Sequence, residues 1–238
     1  MIIRQVEAIH VAAPSTFKVS PSGGPSATWP TVDTLLVRIE TDEGIEGWGE
    51  AFGFMSCAIT KRAVDFLIGP LCIGKRVDDI PALMGELFRK LHLYGRSGPV
   101  FYGLSGIDIA LWDIAGKVAN KPIYQLLSDT VVKEMPSYAS LVRYGNAGKV
   151  AEVSAFARES GCTAIKLHEI GVAEVAASRK AIGDDTLLMV DHNCPWSLDD
   201  ALQFAKAFEP YNLHWMEEPL WPVDDFTAMA RFAADSPI

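Results

Sequence analysis

The chain has 238 residues, 49% of them hydrophobic and 21% charged, a globular composition long enough to bury one or two cores. A formal net charge of −9 argues against a nucleic-acid partner or an anionic membrane surface, since both need a basic face. No stretch approaches the roughly 18 uninterrupted apolar residues of a membrane span, so no membrane partner is expected either. The start, Met1 to Glu7, alternates like a strand and lacks the basic opening and long apolar run of a secretory leader. Cys57, Cys72, Cys162 and Cys194 show no CxxC spacing, which predicts reduced, mostly buried thiols in a cytoplasmic protein.

Taken in order, Met1 to His10 reads as a first strand. Pro14 to Pro30 is rich in Pro, Ser and Gly and reads as a loop. Thr34 to Glu40 and Ile45 to Phe52 are two strands around a turn at Thr41-Asp42-Glu43-Gly44, so a three-stranded antiparallel meander is predicted. Helical patterns follow over Ala58 to Ile68, Pro81 to Leu93 and Leu104 to Val118, with a short turn from Ile123 to Leu127. A boundary is expected between Leu127 and Glu134, giving an α+β domain over residues 1–130. From there the pattern alternates. Pro136 to Leu141 reads as a strand and Gly148 to Glu159 as a helix. Three short apolar runs come next: Thr163 to Glu169, Leu187 to Asn193 and Leu213 to Pro219. Helical patterns separate them over Ala173 to Ile182 and Ser197 to Phe208. Asp224 to Ala234 reads as a further helix and Ser236-Pro237-Ile238 as the start of a fifth strand. Strand, helix, strand in this rhythm predicts parallel βαβ units, so residues 131–238 are expected to form about the first half of an α/β (β/α) barrel.

Functional side chains of such a barrel sit at the carboxyl ends of strands, where Lys166, His168, Asp191, Asn193 and Glu217 all fall. Asp191 and Glu217 form a half-site for a hard divalent cation that wants oxygen ligands. They could equally be solvated loop carboxylates or helix caps. Lys166 and His168 are two residues apart and share a face. A lysine beside a metal can act as a general base, although a snorkelling lysine and a hydrogen-bonded packing histidine would give the same pattern. Asn193 shares a face with Asp191 and could donate to a substrate oxygen. His10, His92, His192 and His214 are expected to be structural, and Trp196, Trp215 and Trp221 to pack.

These motifs together carry a resemblance. Gly44-Ile45-Glu46-Gly47-Trp48-Gly49-Glu50, Ser105-Gly106-Ile107-Asp108-Ile109-Ala110-Leu111-Trp112-Asp113, Lys166-Leu167-His168, Asp191-His192-Asn193 and Trp215-Met216-Glu217-Glu218-Pro219 occur in that order. With them the chain resembles the enolase superfamily, in its mandelate racemase/muconate lactonizing branch. The resemblance implies an α+β capping domain over a modified barrel, Mg2+ as cofactor, and abstraction of the proton α to a substrate carboxylate. It implies Asp191 and Glu217 as metal ligands, Lys166 and His168 as the acid/base pair, and Asn193, Phe52 and Phe17 as substrate contacts. Ser15 to Thr28 and Phe52 to Met55 resemble the family's capping loops. Histidine stands at 168 where the family's pair has a second lysine, so either residue is open as the base. Glu218 points the other way and is not counted as a ligand.

The implied partner is a small-molecule carboxylate, an acid sugar first, handled by a dehydratase or racemase/epimerase in a homo-oligomer. A cycloisomerase of a lactone or muconate-like acid is the alternative within enzymes. The family's third metal carboxylate would fall about 25 residues past Glu217, beyond Ile238. The chain is therefore expected to be truncated inside strand five, with an inactive fragment or binding remnant as the alternative.

Overall fold

The computed structural model describes residues 1–15, 18–19, 27–28 and 31–238. Two compact units emerge, one from the described residues of Met1–Thr16 and Pro30–Lys133, the other from those of Phe17–Trp29 and Glu134–Ile238. Phe17 and most of the expected loop from Pro14 to Pro30 lie outside the described residues. Within that loop, β2 (Lys18–Val19) and β3 (Ala27–Thr28) pair antiparallel.

The first unit is a meander packed on helices. β1 (Ile3–Pro14), β4 (Thr31–Thr41) and β5 (Glu46–Ala51) form one antiparallel sheet in the order β1-β4-β5. β1 runs four residues past its expected end because β4 starts at Thr31 and keeps pairing it, out to Pro14 opposite Thr31. Its helices are α1 (Cys57–Ala63), α2 (Gly69–Cys72), α3 (Ile80–Lys90), α4 (Pro99–Ala119) and α5 (Tyr124–Leu127). A π-helical turn at Val64–Ile68 joins α1 to α2. It loosens the ladder just before Pro70, whose ring has no N–H to give. α3 starts where Asp79 caps it, Oδ1 accepting from the Ala82 N–H at 3.0 Å. α4 begins at Pro99, five residues before the apolar periodicity does. Proline is preorganised for the first helical position, so the start carries a backbone signal rather than an apolar one.

β5 approaches α4 as closely as a strand can. A Cβ placed on Gly47 would sit 2.1 Å from the Ala110 carbonyl oxygen, and one on Gly49 2.1 Å from the Gly106 carbonyl oxygen. Asp113 then ties the two together: its Oδ2 accepts from the Trp48 N–H at 2.8 Å and from Lys117 Nζ at 2.7 Å, and Lys117 also donates to the Glu46 carbonyl at 2.7 Å. Ile3, Leu35, Val37, Ile39, Leu104, Ile107, Leu111 and Ile114 fill the core between sheet and helices. Each such aliphatic side chain contributes about 2 kcal/mol by leaving water.

The second unit is the first part of a (β/α) barrel. β6 (Ala139–Ser140), β7 (Ala164–Leu167), β8 (Leu187–Asp191) and β9 (Trp215–Glu217) lie parallel and in chain order. α6 (Ala147–Glu159), α7 (Val172–Ile182), α8 (Leu198–Phe208) and α9 (Phe226–Asp235) follow the strands in turn. Asn146, Ser197 and Asp225 cap α6, α8 and α9 through their side-chain oxygens. Ile165, Leu167, Leu188, Val190, Val175, Ile182, Ala205 and Phe208 form its core. Ser236–Ile238, expected to open a fifth strand, is in no strand. Ile238 instead packs against this core. Among the described residues no helix is long and apolar enough to cross a membrane.

Because the Gly47 and Gly49 contacts are with backbone, an alanine there has to push β5 off α4. Gly47→Ala and Gly49→Ala are each expected to cost about 3 kcal/mol, the upper range of overpacking. Urea unfolding of the variants measures this, and midpoints equal to the wild type would contradict it.

Candidate active site

Parallel register brings the chemistry together. Asp191 ends β8 directly opposite Glu217 at the end of β9, and Lys166 pairs with Met189, two residues before Asp191 on the same face. Lys166 Nζ donates to Glu217 Oε1 at 3.2 Å and Oε2 at 3.1 Å, and lies 3.6 Å from Asp191 Oδ2. His168 Nε2 stands 3.2 Å from that same Oδ2. His168 Nδ1 bonds the Leu141 carbonyl, which can only accept, so Nδ1 carries a proton. Nε2 then donates to Asp191 only when the ring is an imidazolium.

Lys166 and Asp191 are buried, whereas Glu217 and His168 are partly open. Burial works against the ammonium of Lys166, but the hydrogen bonds and charge of Glu217, with the charge of Asp191, outweigh it and hold the lysine above its ordinary range. Two aromatic residues complete the setting. Lys166 Nζ lies 5.6 Å from the centre of the Tyr138 ring, and Tyr138 meets Trp215 edge-on at 5.9 Å. Trp215 Nε1 donates to Glu217 Oε2 at 3.2 Å, so this indole aims a carboxylate besides packing. It precedes Glu217 by two residues on one strand face, a spacing from which the bond could have been anticipated.

Asn193 is exposed and turned back on its own strand end. Its backbone N–H and its Nδ2 both donate to Asp191 Oδ1, at 3.0 and 2.9 Å. Asn193 and Cys194 are both left-handed, at φ +56° and +57°. Glu218, at φ +48°, sends its carboxylate toward Cys194 Sγ rather than to Lys166. Phe52 belongs to the first unit, where it is exposed and its ring lies 4.8 Å from that of Tyr102. All four cysteines are free thiols: Cys57 and Cys72 are buried, Cys162 and Cys194 partly so.

Two residues that the sequence did not single out support the site. Arg143 donates from Nε to the His168 carbonyl at 2.6 Å, and from Nη2 to the His192 carbonyl at 3.0 Å and Asn193 Oδ1 at 3.1 Å. Glu169 is buried and its carboxylate accepts the N–H groups of Tyr144 and Gly145 at 2.7 and 3.1 Å, fixing the turn that carries Arg143. Burial pushes the Glu169 carboxyl up, against these two N–H donors.

As a cation site the donors fit in kind. Asp191 Oδ2 and both oxygens of Glu217 converge on one positive charge, that of Lys166, and carboxylate oxygens suit a hard ion such as Mg2+. Among the described residues no three His, Cys, Asp or Glu side chains gather as a metal cluster, and two carboxylates alone would fill only part of an octahedral set.

Residues 6–128 match the family described as mandelate racemase / muconate lactonizing enzyme, N-terminal domain, and residues 149–238 match enolase C-terminal domain-like. The chain belongs to the mandelate racemase/muconate lactonizing enzyme family of the enolase superfamily. Among members of this family, it is 33% identical over 217 residues to the 3,6-anhydro-alpha-L-galactonate cycloisomerase of Streptomyces coelicolor, covering 86% of this chain and 58% of that protein. It is 27% identical over 213 residues to the arabinonate dehydratase of Saccharolobus solfataricus, covering 86% and 57%. A solved racemase from Streptomyces coelicolor with bound magnesium superposes with a TM-score of 0.88 at 28% identity, over 99% of this chain and 67% of that one. The chain thus spans somewhat more than half the length of the curated relatives of the family that it matches.

Behind Asp191, His192 is fully buried between Trp196 and Phe208, with ring centres 4.5 and 5.3 Å away. Its Nδ1 bonds the Glu169 carbonyl at 2.8 Å, and Nε2 has no partner among the described residues. Burial, with a smaller push from Arg143, lowers its pKa from 6.5 to about 4. The unfolded chain therefore binds a proton that the folded one refuses. His192's contribution is whole above pH 6.5 and is lost as pH falls toward 4, by up to about 3 kcal/mol. Thermal midpoints at pH 7 and pH 5 should differ more for the wild type than for His192→Asn; equal differences would contradict this.

Proposed function

We propose that this chain supplies the first part of an active site that removes the proton α to the carboxylate of an acid sugar, with Mg2+ as cofactor. The observation that carries this reading is the convergence of Lys166, His168, Asp191 and Glu217 at three adjacent strand ends. A basic pair set against a carboxylate pair is the equipment for moving a proton beside a bound anion. Asp191 and Glu217 would hold the ion, which when bound supplies positive charge where negative charge develops on the substrate.

The chain's own residues handle the proton. Lys166, held as an ammonium by two carboxylates, is ready to donate; to accept, it must first be freed from Asp191 and Glu217 and lose its proton. His168 can accept at Nε2, the nitrogen turned to Asp191, while Nδ1 stays anchored on the Leu141 carbonyl. That anchor fixes the ring plane, so a proton at Nε2 is taken or given along one direction.

Loss of the α proton leaves charge spread over the substrate carboxylate. As that charge collapses into a Cα–Cβ double bond, a β hydroxyl that takes a proton leaves as water, a dehydration, and a β ring oxygen that takes a proton becomes a hydroxyl on the opened ring, with no net loss of water. Dehydration is the first reading because the arabinonate dehydratase acts on an acid sugar by name. Cycloisomerisation is the second, supported by the higher identity, 33% against 27%, to a cycloisomerase.

Proton exchange at the α carbon in D2O tests the common step before either outcome. In the full-length protein, Lys166→Ala and His168→Ala should each slow turnover by about 100-fold or more, the range for losing a general acid or base. The residue whose loss abolishes exchange while substrate still binds is the base. Near-normal exchange in both variants would remove this pair from the mechanism.

A further inference from the structure

Of the two candidate ligand carboxylates Asp191 is the more buried, and one of its oxygens is already committed. Oδ1 takes both N–H donors of Asn193, which leaves Oδ2 facing Lys166 and His168. Asn193 holds this pose at φ +56°, followed by Cys194 at φ +57°. Two successive left-handed residues that are not glycine cost strain, so something must hold the turn. The Cys194 N–H donates to the Glu218 carbonyl at 2.7 Å, and Arg143 holds the other side of the turn: one Nη2 bonds both the His192 carbonyl and Asn193 Oδ1, while Nε bonds the His168 carbonyl on the next strand end. Because its side-chain oxygen is fixed on Arg143, Asn193 must present its Nδ2 to Asp191. Arg143 is in turn seated by the backbone of Tyr144 and Gly145 on the buried Glu169.

We propose that Arg143 is a positioning residue for the cation site. Through Asn193 it fixes the rotamer of Asp191, and through the two carbonyls it sets the spacing of the β7 and β8 ends. Only a planar fork can reach three acceptors on two strand ends, which a lysine could not do. The inference rests on the reading of Asp191 as a Mg2+ ligand.

The test is calorimetric titration of Mg2+ into the full-length protein, with no substrate present. The comparison covers wild type, Arg143→Met, Asn193→Ala and the double variant. Each single change is expected to weaken Mg2+ binding about 10- to 100-fold, the range for removing an outer partner of a metal ligand. If the two act in one relay, the double variant binds no more than about threefold more weakly than the worse single one. A merely structural role would lower the metal-free thermal midpoint without this non-additivity. Wild-type affinity in Arg143→Met, or losses that multiply in the double variant, would overturn the inference. Asn193 is exposed, so Asn193→Ala should fold even if Arg143→Met does not, and wild-type affinity in that variant alone also overturns it. A wild type that binds no Mg2+ would instead overturn the reading of Asp191, and this inference with it.

Discussion

One buried ammonium shared by two carboxylates is the interaction on which the site depends. At 3 to 4 Å and an effective dielectric of ~20, each carboxylate offers about 4 kcal/mol of gross attraction. Taking an ion out of water costs several kcal/mol. One carboxylate would barely offset the burial of Lys166, whereas two exceed it, in agreement with its raised affinity for the proton. The dependence is mutual. Asp191 and Glu217 sit opposite each other on paired strands, and without a cation between them their charges would repel.

Everything around this triad restricts its freedom. Trp215 takes one oxygen of Glu217, Asn193 takes one oxygen of Asp191, and the Leu141 carbonyl takes one nitrogen of His168. Asp191 Oδ2 is left facing Lys166 and His168 Nε2, and Glu217 Oε1 is left to Lys166. For the proton transfer proposed above, such fixed groups would be preorganised, with no geometry left to search for.

The sheet order and helix alternation were legible in the sequence because they follow from period. Side chains two apart on a strand share a face, and one strand-plus-helix unit returns the chain to the same edge. Lys166, Asp191 and Glu217 could be placed side by side from those rules alone. The rules stop where strands stop. Asn193 was expected to look toward substrate by alternation from Asp191, but at φ +56° the strand has ended and its amide turns back on Asp191. Arg143 lies in an irregular turn with no periodicity to mark it, and its acceptors come from segments 25 and about 50 residues further on. The backbone carbonyls it binds leave no trace in residue identity. The early start of α4 and the π turn before Pro70 were missed for a similar reason: proline stereochemistry, not apolar pattern, sets both.

The lock between β5 and α4 has a consequence for how the protein is made. Trp48 and Asp113, which close it, are 65 residues apart in the chain. At a synthesis rate of ~5–20 residues per second, the meander waits several seconds for its helix. During that interval the apolar face of Leu35, Val37 and Ile39 has only the shorter helices of this unit to cover it, and lacks the long helix that packs closest to it. Gly47 and Gly49 add nothing to the sheet's own cohesion, since glycine weakens a strand. The nascent hairpin should thus be weakly self-sufficient, held open for the helix that arrives last. Closure over such a separation in the chain carries a loop-entropy cost before it is rewarded, and it makes completion of this unit's core wait on α4.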